Sequence, residues 1–243
     1  MSNAHVTTDH ATIKDWAKTR GGKPAEVEGT GDEDPGVLRI EFPDYSGCEK
    51  LKRIQWPSFF KKFDEKDLAL LYQETTDQGE ISRFCKFVYA PTGVLEKLHE
   101  EHGQIRQLLE KMSDTTQNAV KTRPRMVEEL EEKIVPHMVG EEKIFYKAMK
   151  KHATKEQMPT ALEGYEEHRL ARKALKRLKK ADPDTPDWDA RQKVLKEVVE
   201  HHIEEEESEL FEMAWEQLGR DGLQEMEGEY LAREEKAMEN LKS

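Results

Sequence analysis

The sequence is poor in cysteine, with only Cys48 and Cys85 among 243 residues. Two cysteines so far apart exclude a thiolate metal site, and two reduced thiols are favoured over the alternative of one disulfide. The chain also lacks a run of roughly 20 apolar residues, the length that spans a bilayer, and an apolar signal segment near its start. We therefore predict a cytoplasmic protein with no membrane partner.

An excess of basic residues is also missing. The chain carries 39 basic and 51 acidic side chains, a net charge of −12, and residues 1–90 and 91–243 are each acidic. Nucleic-acid binding depends on basic surface that neutralises phosphates, so no nucleic acid is expected as a partner. Aromatic residues are scarce at 7%, whereas charged residues reach 37%, a composition typical of long solvated helices.

Residues 11–90 contain many turn residues between short apolar runs, which predicts a small α+β module. Residues 1–4 resemble an expression remnant and are left out of the fold prediction. No His/Glu cluster, glycine-rich phosphate loop or Ser/His/Asp set occurs in the module, so neither a function nor a protein partner is predicted for it. The predicted elements are a helix at 12–20 with Thr12 as N-cap, a strand at 36–42, a helix at 56–63, and strands at 68–72 and 81–89.

From residue 91 the apolar residues recur with helical periodicity. Four long amphipathic helices with short connections predict an all-α, up-and-down four-helix bundle over residues 91–220. A charged extra C-terminal helix is predicted within residues 221–243. The expected helices span 92–116, 124–152, 159–180, 187–218 with Asp187 as N-cap and Gly219 as the stop, and 221–241.

Each of the four bundle helices places one histidine on its apolar stripe. On the first, His102 continues a stripe whose steps are three and four residues. On the second and fourth, a glutamate follows the histidine by one turn and shares its face. The six candidates for the interior are His102, His137, Glu141, His168, His202 and Glu206.

One histidine on an apolar stripe is usually an ordinary core or boundary residue, but four near mid-helix are not independent accidents. An unpaired carboxylate in a core costs several kcal/mol, so Glu141 and Glu206 need a cation or strong hydrogen-bond partners. A metal-free charge network with imidazolium groups is the alternative to a metal site. Imidazole with carboxylate and no thiolate suits iron, manganese or zinc.

Four segments carry a family resemblance: residues 98–102 (LHEEH), 137–142 (HMVGEE), 167–168 (EH) and 202–207 (HIEEEE), the last followed by Leu210-Phe211. They resemble the hemerythrin-like (HHE cation-binding) family, and the N-terminal region resembles an uncharacterised bacterial module. The resemblance implies two Fe ions joined by an oxo or hydroxo bridge, with Mn or Zn as possible substitutes. It assigns His102 and His137 to one iron, His168 and His202 to the other, and Glu141 and Glu206 to bridging both.

The sequence departs from the family pattern on the third helix. Oxygen-carrying members have H-x-x-x-H there, whereas Arg172 stands four residues after His168. The second iron would lack a protein ligand or receive one from Tyr165 or Glu163, which argues against simple reversible oxygen carriage.

Two neighbouring histidines compete with the assigned ones. His99 is set aside because only His102 continues the apolar stripe. His201, with Glu205 as partner, is set aside because the family pattern places Ile directly after the ligand. The acidic run 204–209 is interpreted as a solvated face from which only Glu206 points inward.

Three functions are compatible with these residues. The preferred one is a non-haem di-iron protein that binds or senses O2, peroxide or nitric oxide. The alternatives are a di-iron oxidase or peroxide-consuming enzyme and a metal-free helical interaction scaffold. Sensing and turnover are not separated by any residue pattern, and the oligomeric state is left open.

Overall fold

The computed structural model describes residues 4–28, 37–43, 50–76 and 78–242. Two compact units divide the chain, Met1–Ala90 and Pro91–Ser243. Cys48 lies outside the described residues, as does Gly36 at the start of one predicted strand. Within the described ranges, no helix has the length and apolar character needed to cross a membrane.

The first unit is α+β, as predicted, and holds two antiparallel three-stranded sheets. Their strand orders are β1-β5-β6 and β3-β2-β4. The described part of the unit also contains two helices, and its core includes Trp16, Phe59 and Phe63. The elements are β1 (Ala4–Thr7), α1 (His10–Thr19), β2 (Lys23–Val27), β3 (Leu38–Glu41), β4 (Leu51–Arg53), α2 (Trp56–Glu65), β5 (Leu68–Gln73) and β6 (Cys85–Tyr89).

Several boundaries in this unit differ from the prediction. Asp9, not Thr12, is the N-cap of α1, because the Asp9 carboxylate accepts from the Thr12 backbone N–H at 2.7 Å. Strand β1 starts at Ala4, inside the residues left out of the prediction. The strand predicted at 81–89 is shorter and begins at Cys85.

The second unit is helical. Its bundle helices are α3 (Val94–Ser113), α4 (Thr122–Gly140), α6 (Met158–Leu178) and α7 (Pro186–Glu205), with α5 (Tyr146–His152) and the long α8 (Phe211–Lys242). At Gly219 the backbone of α8 leaves helical geometry with φ 61° and ψ −177°, so a break occurs at the predicted stop. The N-cap position of α7 is Thr185, not Asp187, since Pro186 already occupies the first turn.

Two π-helical turns interrupt segments that the sequence predicts as continuous helices. The first spans Glu141–Phe145 between α4 and α5, and the second spans Glu206–Leu210 between α7 and α8. Each adds a residue to one helical turn, which rotates the following residues around the axis. Both begin at a glutamate predicted to face the interior.

Two apolar clusters flank the histidines along the bundle. One contains Ile105, Ile134, Ala171 and Val199, and the other contains Leu98, Phe145, Ala161 and Leu210. On each of the four helical segments, residues on one side of the predicted site histidine belong mainly to one cluster, and residues on the other side belong mainly to the other. The polar layer is therefore enclosed by apolar side chains at both ends.

Candidate metal centre

The structure brings the six predicted side chains together in one buried layer, here called the inner cluster: His102, His137, Glu141, His168, His202 and Glu206. Helices α3, α4, α6 and α7 supply one histidine each, and the two glutamates begin the π-helical turns. All six are buried, with His202 the most accessible at 7% exposure. Their role as metal ligands stays a prediction, but their positions match it.

The inward-facing atoms are the four imidazole Nε2 atoms and the carboxylate oxygens. Glu141 Oε1 lies 3.1 Å from His137 Nε2 and 3.6 Å from His102 Nε2, while its Oε2 lies 3.1 Å from His168 Nε2. Glu206 Oε2 lies 3.2 Å from His102 Nε2 and 3.9 Å from His202 Nε2. Both carboxylates therefore touch both halves of the cluster, which is the arrangement that bridging requires.

Two overlapping groups within the cluster can each hold a cation. One is His102, His137 and Glu141, and the other is Glu141, His168 and His202. Within each group the donor atoms lie within 4.8 Å of one another. Glu141 belongs to both, so two cations would share it.

The donor atoms fit a cation better than they fit each other. In the described part of the chain, both oxygens of Glu141 and Glu206 and the Nε2 atoms of His102 and His137 have no partner with hydrogen-bond geometry. These atoms lie close to one another without the alignment that a hydrogen bond requires. Buried carboxylates without partners are costly, and a metal ion would satisfy all of them at once.

Each inner histidine is held from behind by a carboxylate on its Nδ1 atom. An Nδ1–H donated to a carboxylate fixes the ring orientation and leaves Nε2 free to bind a metal. The four acceptor carboxylates come from successive bundle segments and close a ring around the cluster. The pairs are Glu101 with His137 at 2.8 Å, Glu142 with His168 at 3.1 Å, Glu167 with His202 at 2.8 Å, and Glu207 with His102 at 2.9 Å.

The family model of the hemerythrin HHE cation-binding domain matches residues 93–214. The chain belongs to the hemerythrin HHE cation-binding family. A solved structure of a hemerythrin HHE cation-binding domain-containing protein from Mycobacterium kansasii is 25% identical, with a TM-score of 0.52. The match covers 60% of this chain and 86% of the mycobacterial one. No curated protein matched the sequence.

The HHE family binds a metal cation, and the inner cluster supplies the His and Glu side chains that can hold one. Sequence reasoning missed the acceptor carboxylates, although a simple signal marks them. Glu101 and Glu167 precede an inner histidine, while Glu142 and Glu207 follow an inner glutamate. The interpretation of the acidic run 204–209 was therefore wrong in one respect, since Glu207 also turns inward, toward His102.

The charges of the inner cluster are strongly coupled. Burial and the neighbouring Glu206 raise the pKa of Glu141 well above its usual value. Burial alone would raise the pKa of Glu206 too, but its contact with His102 holds it at about 2. The pKa of His102 is raised well above 6.5, because its carboxylate contacts outweigh the cost of burying its charge. In the metal-free cluster, protons on Glu141 and His102 therefore offset the negative charge that a bound cation would otherwise offset.

The third helix shows what replaces the family's second histidine. Arg172 donates to Glu142 at 2.5 Å, and the Tyr165 hydroxyl donates to the Glu142 backbone carbonyl at 3.1 Å. Neither side chain faces the inner cluster. The side chain that lies beside His168 and His202 is Tyr146, which was not among the predicted site residues. Its hydroxyl lies 3.3 Å from His168 Nε2 and 3.4 Å from His202 Nε2.

The competing histidines lie outside the inner cluster. His99 is about one-third exposed, and its Nδ1 contacts Glu207 at 3.0 Å. His201 is 62% exposed at its side chain and faces Glu205 at 3.3 Å. The structure therefore places His102 and His202, the preferred member of each pair, in the interior.

Proposed function

We propose that the inner cluster holds two irons and that this di-iron centre binds or senses O2, peroxide or nitric oxide. The observation that carries the proposal is the convergence of four imidazole Nε2 atoms on two shared, otherwise unpartnered carboxylates. When bound, iron supplies redox chemistry and open coordination positions. The chain fixes the number of ligands, their orientation and the exclusion of water.

The donor set favours iron. Each half offers two imidazoles and one carboxylate, the combination that leaves open positions on non-haem iron. The inner cluster contains no thiolate, which disfavours copper(I) and iron–sulfur clusters. Manganese and zinc remain chemically compatible substitutes, so the test must identify the metal directly.

Open positions and a small cavity favour a small ligand. A cavity of about 80 Å³ reaches Tyr146, His202 and Glu206. A cavity of this size has room for a diatomic gas or a peroxide beside the two inner residues. Leu98, Phe145 and Phe211 belong to the buried apolar cluster on one side of the polar layer.

Binding and turnover lead to different results with the same protein. The experiment is the optical spectrum of the reduced, iron-loaded protein before and after O2, peroxide or nitric oxide. A change that reverses when the gas is removed supports binding or sensing. Consumption of many equivalents of peroxide supports the enzyme. A spectrum indifferent to all three ligands would contradict the proposal, and a chain without metal would favour the scaffold.

A further inference from the structure

A second group of metal-ligating side chains lies outside the inner cluster. It consists of Glu167 on α6 and His201 and Glu205 on α7, here called the mouth cluster. The three donor atoms lie within 4.8 Å of one another. His201 Nε2 is 3.3 Å from Glu205 Oε1 and 3.9 Å from Glu167 Oε1. Ligands of a transition-metal ion bound at about 2.1 Å are themselves separated by roughly 3–3.5 Å, so small movements suffice to bind one.

The mouth cluster borders the cavity that leads inward. Glu167 and Glu205 line this cavity together with two further carboxylates, Glu163 and Glu209. At the inner end the lining includes His202 and Glu206. A concave surface lined by one sign of charge concentrates counter-ions, here cations, at its mouth.

An independent feature of the same cavity also indicates a cation. The Glu206 side chain is only 2% exposed, and neither of its oxygens has a hydrogen-bond partner in the described part of the chain. This buried carboxylate forms part of the cavity wall. The cavity therefore connects Glu167 and Glu205 of the mouth cluster with a buried acceptor that has no partner.

Glu167 connects the two clusters directly. Its Oε2 accepts from His202 Nδ1 at 2.8 Å, while its Oε1 faces His201 in the mouth cluster. A cation at the mouth cluster would therefore be one side chain away from an inner histidine. His202 and Glu206 line the same cavity as Glu167 and Glu205.

We propose that the mouth cluster is a transit site for a divalent cation, which ferrous iron occupies on its way to the inner cluster. The inner donors are buried, so an incoming hydrated cation must exchange its waters for protein ligands in steps. The imidazole of His201 and the carboxylates of Glu167 and Glu205 replace the first water ligands of the cation. The site is partly open to solvent, so the cation binds weakly enough to be released toward the inner cluster. As a route for iron, this proposal rests on the proposed function, whereas cation binding at the mouth cluster does not.

The first test measures the rate of ferrous iron uptake by the full-length apoprotein under anaerobic conditions. The variant is His201→Ala with Glu205→Gln, and the matched control is His152→Ala with Glu128→Gln, two exposed positions on α5 and α4. The mouth variant should load about tenfold more slowly than wild type yet reach the same final iron content. Uptake at the wild-type rate would overturn the transit role.

The second test examines the mouth cluster without relying on iron retention. Sub-stoichiometric Mn²⁺ is added, and the imidazole proton signals are followed by NMR, with His201 assigned from His201→Ala. The His201 signal should broaden before the His152 signal, and Glu205→Gln should raise the Mn²⁺ concentration required by about tenfold. Equal broadening of both signals, or indifference to Glu205→Gln, would overturn the site. A wild-type chain that retains no iron but shows the Glu205-dependent effect would contradict the proposed function and keep the mouth cluster as a cation site.

Discussion

At the residue scale, each inner histidine depends on a carboxylate that never touches the centre of the cluster. Glu207 illustrates this dependence because it accepts from His102 at 2.9 Å and from Arg106 at 3.0 Å. Contact with His102 and His99 holds the pKa of Glu207 far below its usual value despite burial. Glu207 is therefore ionised at neutral pH and fixes the proton of His102 on Nδ1.

Replacing this carboxylate should weaken metal binding without removing a ligand. We expect Glu207→Gln to lower metal affinity by about 10–100-fold, the usual cost of losing such an outer partner. Competition with a chelator of known affinity measures the change. Glu204→Gln, an exposed position three residues away, is the control. Equal affinity of the two variants would show that Glu207 does not orient His102.

The choice between neighbouring histidines gives a sharper test. His102→Ala should reduce bound iron by at least about half. The substitution removes the imidazole whose Nε2 atom lies near both Glu141 and Glu206. His99→Ala should leave the iron content unchanged, because His99 lies outside the inner cluster and contacts the outer carboxylate Glu207. Elemental analysis of both proteins, with helix content checked by circular dichroism, decides it. Metal loss in His99→Ala alone would reverse the assignment.

Glu142 predicts a defined pH dependence of stability in the apoprotein. Burial alone would raise its pKa, but hydrogen bonds from His168 and Arg172 lower it from 4.5 to about 2. A depressed carboxyl pKa stabilises the fold above pH 4.5, and that contribution disappears as the pH falls toward 2. The difference in unfolding free energy between wild type and Glu142→Gln should therefore shrink between pH 5 and pH 2 in urea titrations. A difference that stays constant over this range would contradict the ion pair.

The convergence of the six inner-cluster side chains was predictable from sequence for a simple reason. His137 and Glu141, like His202 and Glu206, are one helical turn apart, so an apolar stripe that includes one includes the other. Helical periodicity alone does not predict the directions of the Glu142 and Tyr146 side chains, because these directions depend on the π-helical turn that starts at Glu141. A regular helix would point these side chains elsewhere, and nothing in the local sequence specifies the extra residue.

At the element scale, close packing of aromatic rings against glycines supports the site. Gly140 ends α4 with helical φ and ψ, so its backbone would accept alanine. A Cβ there would lie 2.5 Å from the Tyr230 ring, which is fully buried and tied by its hydroxyl to Glu101 at 2.6 Å. If the ring moved aside, the Tyr230 hydroxyl would lose its hydrogen bond to Glu101, the carboxylate that also contacts His137.

Gly140→Ala should therefore destabilise the protein although alanine favours helices. The expected cost is about 1–3 kcal/mol, as for overpacked cores. Gly228→Ala in α8 is the control, since a Cβ there meets nothing within 4 Å. That control should gain about 1 kcal/mol of helix propensity, or about 2–4 °C in Tm. Calorimetry showing the same shift for both would refute the tight contact with Tyr230.

Element types in the helical unit followed from periodicity, whereas three strands of the first unit, β1, β2 and β4, were not predicted. Strand β2 contains Pro24 and the buried Glu26, a combination that argues against a central strand. The structure accommodates Glu26 by ion pairs with Lys52 and Lys62, residues 26 and 36 positions away. Strand β4 is only three residues long and mostly exposed. Pairing across the sheet, not local propensity, creates β2 and β4.

At the scale of the whole molecule, the inner cluster should couple metal binding to the stability of the helical unit. The apoprotein keeps buried carboxylates that lack aligned partners, and a cation bound only by the folded state adds its binding free energy to folding. At metal concentrations about 100-fold above Kd, the gain is about 2.7 kcal/mol, or several degrees in Tm. Melting curves of the apo and iron-loaded protein measure it. Identical curves would show that the carboxylates are satisfied within the protein.

The metal content of the purified protein tests the central claim most directly. Two overlapping donor groups that share Glu141 predict two irons in each chain, not one. The measurement is elemental analysis of protein loaded with ferrous iron under reducing conditions and freed of unbound metal, scaled to protein concentration. The account predicts close to two iron atoms per chain. Less than about half an equivalent of iron after such loading would contradict it.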